Sequence, residues 1–111
     1  MTDESLSTAA FRVIHIRSLI AEALLNEAYN NTSPEYMTDI LKAAFKTADA
    51  IEHIAEDGFN RKVLPAFLIQ SLETTLYIMD SLRIPLSRTT LNLPTEGEIH
   101  ALIQSIKSTY P

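Results

Sequence analysis

A chain of 111 residues, 46% hydrophobic and 21% charged, has the size and composition of one globular domain, residues 1–111, that folds without staples. The absence of cysteine excludes thiol nucleophiles, redox pairs and cysteine-ligated zinc or iron–sulfur centres. A net charge of −5 with nine scattered basic residues offers no footprint for nucleic acid. The acidic start and the charge-broken apolar runs fit neither a secretory signal nor a membrane span of about 20 residues, so a soluble cytoplasmic protein is expected.

The first apolar segment runs at helical spacing from Ser7 to Tyr29 and fades into Asn30-Asn31-Thr32, where consecutive asparagines favour a turn. Val13, Ile16, Ile20, Ala23 and Leu24 form one apolar face. Ile14, Ala21, Leu25 and Ala28 carry the arc round to a second, leaving a polar strip near Thr8, Arg12, His15, Glu22 and Asn26. The second helix opens at Ser33-Pro34-Glu35, where the serine caps, the proline has no amide to lose and the glutamate suits the positive dipole end. It is predicted to reach Asp57, with Met37, Ile40, Leu41, Ala44, Ala48, Ile51 and Ala55 toward the core. Gly58 is placed to close it at C′, Phe59 to fold back on its last turn, and Asn60 to cap the next helix.

The third helix is predicted from Asn60–Leu64 to Leu82, with a wide apolar arc that includes Leu64, Phe67, Leu68, Ile69, Leu72, Leu76, Ile78 and Met79, opposite Gln70, Glu73, Tyr77 and Asp80. A connection of about a dozen residues follows, Arg83 to Pro94, with two prolines and the apolar Ile84, Leu86, Leu91 and Leu93. These side chains are expected to cover one end of the domain, with partner binding as the alternative. The last helix begins at Thr95-Glu-Gly-Glu98, a capping box, and runs toward Tyr110 with Ile99, Leu102, Ile103 and Ile106 inward. Short connections between the first three helices force antiparallel neighbours. The expected fold is all-α, an antiparallel up-down four-helix bundle with a long proline-containing connection before its last helix.

The one concentration of titratable groups is Glu52-His-Ile-Ala-Glu-Asp57, with Asp49 a turn upstream. Asp49, His53 and Glu56 have the spacing to share an ion, but carboxylate-bridged bundles project ligands inward from several helices, and helical counting puts His53 on the solvated side. No metal or other cofactor is expected. An exposed histidine on a bundle resembles histidine phosphotransfer domains in architecture alone, because the residues after His53 lack their usual lysine and glycine. No phosphate loop, nucleophile elbow or metal-helix motif occurs, so a non-enzyme is expected.

Two helices with more apolar arc than three neighbours can cover imply a further partner. The leading expectation is a helical protein–protein interaction module, a regulator, adaptor, inhibitor or chaperone-like subunit. A homodimer is the simplest cover, and another protein partner is expected besides. Candidate partner-binding residues are Ile14, Leu25, Ile69, Leu76, Leu86 and Leu91. One alternative is a small-molecule binder with an apolar pocket between the first and third helices, its ligand oriented by Tyr29, Tyr77, His15 or Gln70. A second is a phosphotransfer module using His53.

Overall fold

The computed structural model describes residues 2–30, 34–59 and 64–110, with side chains for 6, 8–30, 37–49 and 64–110. Among them are five helices and no strand: α1 (Thr2–Asn30), α2 (Pro34–Phe59), α3 (Pro65–Ser81), α4 (Arg83–Ser87) and α5 (Glu96–Thr109). The all-helical expectation holds, with one helix more than expected. α4 lies inside the connection predicted to be irregular, with Pro85 in its first turn, where a missing amide costs no intrahelical bond. α1 begins five residues before Ser7. α2 continues two residues past Asp57, so Gly58 lies inside its last turn and not beyond it, while the expected fold-back of Phe59 and the capping role of Asn60 fall on side chains and residues outside those described. The N-cap position of α3 is Leu64, with no side-chain hydrogen bond and Pro65 at the first helical position.

α1 and α2 pack along most of their length, and three intervening residues allow only an antiparallel hairpin. Two heptad-spaced seams make it. Ala10, Ile14, Arg17, Ala21, Leu24 and Ala28 of α1 recur at alternating steps of four and three, as do Met37, Ile40, Ala44 and Thr47 of α2. The small alanines let the helices approach closely. One position back from its seam, α1 carries a second buried row of Ala9, Val13, Ile16, Ile20 and Ala23. α3 and α4 pack on α1, and α3 packs in turn on α5, whose Ile99, Leu102, Ile103 and Ile106 are all buried.

Between these apolar rows lies a buried polar layer. Arg17 is 3% exposed. Its Nε donates to Ser71 Oγ at 2.6 Å, Nη2 to Ser71 O at 3.1 Å and Nη1 to Thr47 O at 3.1 Å, so one guanidinium ties α1 to both α2 and α3. Thr47 and Thr75, also buried, turn their hydroxyls back to Ala43 O (2.7 Å) and Ser71 O (2.8 Å). None of the acceptors is a carboxylate, and burial holds the guanidinium pKa below its ordinary value. The charge is held by hydrogen bonds alone.

The connection is pinned at both ends. Arg88 Nη1 meets Glu27 Oε1 at 2.7 Å, on a glutamate side chain only 11% exposed. Beyond it Leu91 and Leu93 pack on the core, as expected for a cover. The capping box forms as expected, Thr95 Oγ1 accepting from Glu98 N at 3.1 Å and Glu98 Oε1 from Thr95 N at 3.3 Å. α5 then runs back along the first part of α1, so that Thr8 and Ala9 share a cleft with Thr109 and Tyr110.

Arg17→Ala is expected to lower stability by about 3 kcal/mol, because it opens a cavity and removes three buried hydrogen bonds that tie α1 to α2 and α3. Arg17→Met, which fills the space without charge, should lose less. Urea unfolding followed by circular dichroism measures both, and an Arg17→Ala loss below about 1 kcal/mol would deny the layer its structural role.

Candidate functional site

One face of the hairpin is exposed among the described residues. Stepping one position forward from the seam of α1 gives Phe11, His15, Ser18, Glu22, Leu25 and Tyr29, every one of them exposed. The same step on α2 gives Thr38, Leu41, Phe45 and Ala48, again all exposed. In an antiparallel pair, equal rotation in the same sense turns both rows toward the same side. That side is opposite the one taken by Ala9, Val13, Ile16, Ile20 and Ala23, where the rest of the core packs.

Five of these ten side chains are large and apolar: Phe11 is 75% exposed, Leu25 45%, Tyr29 92%, Leu41 42% and Phe45 78%. Single exposed apolar groups need no explanation, whereas an aligned set on one face does. The inward stripe read from the sequence for the second helix is corrected here: Leu41 and Ala48 belong to the open face, and Thr47 takes the buried place. The rim is charged, with exposed Lys42 and Asp49 along the edge of α2 away from α1.

The predicted partner-binding residues are not gathered in one place. Leu25 is on the open face and Ile14, half-buried, sits in the seam at its edge. Ile69 and Leu76 are half-buried on α3 against the core, Leu91 is half-buried in the connection, and Leu86 is buried in α4. Phe11 and Phe45 are not among the residues the sequence singles out, and Tyr29 is so only as a ligand-orienting group, although heptad spacing on two successive helices is the available signal.

A cleft of about 410 Å³, sharing Phe11 and His15 with the edge of the open face, opens between α1 and the end of the connection, lined by Thr8, Phe11, Arg12, His15, Ile16 and Leu19 on one side and Asn92, Leu93, Pro94 and Glu98 on the other. It brings in His15, as a ligand pocket was expected to, but lies beside the connection and not between the first and third helices. It includes none of Tyr29, Tyr77 and Gln70. Among the described residues Arg12 lines it without a hydrogen-bond or ion-pair partner, while Glu98 is engaged in the capping box. Among the described residues no three His, Asp or Glu groups cluster to hold a metal, and the side chains of His53 and Glu56 lie outside them. No described helix is long and apolar enough to cross a membrane. No protein-family model, curated protein or solved structure matches the chain.

Because Phe45 and Tyr29 rest on water and not on the chain's own core, Phe45→Gln and Tyr29→Gln should each move the unfolding free energy of dilute protein by less than about 0.5 kcal/mol. A loss of several times that, read from urea midpoints at submicromolar concentration, would mean that the face is covered within a single copy.

Proposed function

We propose that the chain is a non-enzymatic helical interaction module that works by burying an apolar helix face against another protein chain, first of all a second copy of itself. The observation that carries this is the open face of the α1–α2 hairpin, where Phe11, Leu25, Tyr29, Leu41 and Phe45 line up exposed among the described residues. Burying such side chains is worth about 1.5–3 kcal/mol each, which makes aromatic and aliphatic anchors of this kind the usual energetic centre of an interface. Lys42 and Asp49 at the rim would select orientation more than add affinity. In this reading α1, α2, α3 and α5 are the four members of an antiparallel up-down arrangement, and α4 is a turn within its long connection.

A second reading, binding of a small anionic molecule, is supported by the unpartnered Arg12 in the cleft beside the connection, since a guanidinium fork matches a carboxylate or phosphate.

Sedimentation equilibrium between 1 and 100 µM should show a dimer, and Phe45→Glu should shift it to monomer without unfolding the chain. The immobilised protein should also capture from its native extract at least one protein that the same Phe45→Glu variant fails to hold. A monomer at every concentration together with no difference between the two baits would remove the proposal.

A further inference from the structure

One hydrogen bond sets the register of the open face across the hairpin. Arg17 donates to Thr47 O, so in the antiparallel pair Ile20, three residues onward in α1, is level with Ala44, three residues back in α2. On α1 the exposed row is centred on this level: Phe11 lies nine residues before Ile20 and Tyr29 nine after it, and Ser18 and Glu22 lie two to either side. On α2 the described part of the row has Leu41 and Ala48 on either side of Phe45, near the same level.

We propose that a second copy packs antiparallel on this face, about a two-fold axis passing at the level of Ile20 and Ala44, so that both hairpins together form an intermolecular four-helix core. The inference rests on the homodimer reading above and specifies its geometry. A two-fold at that level sets Phe11 against the partner's Tyr29, Leu41 against the partner's Ala48, and Phe45 close to the partner's Phe45. The rim agrees in charge. Lys42 and Asp49 are seven residues apart on the same edge of α2, and in an antiparallel two-fold pair the same edges meet, so Lys42 faces the partner's Asp49 and Asp49 the partner's Lys42. The size also suits a dimer: two helices of about 26 residues side by side present a face on the order of 40 by 20 Å, near the 800 Å² per partner of a stable interface.

The chain has no cysteine of its own, so introduced thiols report directly on this geometry. Under mild oxidation Phe45→Cys should form a covalent dimer by itself, whereas Phe11→Cys should not, because the two copies of that position are about 27 Å apart along the axis. Phe11→Cys mixed with Tyr29→Cys should cross-link. Lys42→Asp and Asp49→Lys should each weaken self-association at least about tenfold, and mixing the two variants should restore it as a heterodimer, which a purely intramolecular role for these charges would not do. If the unmodified protein dimerises but the mixed variants show neither cross-link nor recovery, this geometry is wrong while the dimer reading stands. If the protein is monomeric and Phe45→Glu loses a different protein from the extract, the face belongs to that partner and the inference is overturned.

Discussion

The buried guanidinium of Arg17 is the constraint on which the arrangement of helices depends. A charge taken out of water costs several kcal/mol unless every neighbour answers it, and here the answer comes from a hydroxyl and two carbonyls on two different helices. The donors are fixed in one plane, so α2 and α3 must each stand at one height along α1. Apolar rows of alanine, isoleucine and leucine would tolerate a slip of a turn in either helix. The guanidinium would not, because a slip of 5.4 Å leaves its donors unpaired in a dry interior. Specificity therefore comes from the polar layer and adhesion from the apolar rows beside it.

That fixed height also gives the two sides of the hairpin different fates. On one side of the seam, α1 carries small and branched apolar residues that α3, α4 and α5 cover. On the other it carries aromatic groups separated by histidine, serine and glutamate, a mixture too apolar for a purely solvated face and too polar for a monomer core. Alternating apolar anchors and polar spacers are the composition that the proposed interface would use. The hairpin thus joins a private core to a public face, and its register decides what the public face presents.

Much of this was legible in the residues. Helical spacing, the Thr95–Glu98 capping box and the proline at the start of the second helix identify the main helices and their order, because each rests on local chemistry that tertiary packing has no reason to override. The short α4 was missed since two prolines normally discourage helix, yet a single turn with proline in its first positions loses no bond. Arg17 was passed over for a different reason: counting apolar residues treats arginine as polar and sends it outward, although its neighbours Val13, Ile14, Ile20, Ala21 and Leu24 surround it with apolar arc. Leu41 and Ala48 were read as core because angular averaging over a whole helix cannot separate two adjacent heptad rows. The open face becomes visible only once the partner seam is known, and the partner seam is a tertiary fact.

The meeting of Thr8 and Ala9 with Thr109 and Tyr110 bears on how the chain reaches this state. α1 and α2 are joined by three residues and can zip together from their corner outward, whereas the packing of α5 along the start of α1 closes a loop of about 100 residues. Loop-closure entropy makes such a contact slow to form unless the intervening chain is already folded. α5 packs on α3, its near neighbour in the chain, so the meeting of the two ends is placed to follow once α3 already lies on α1.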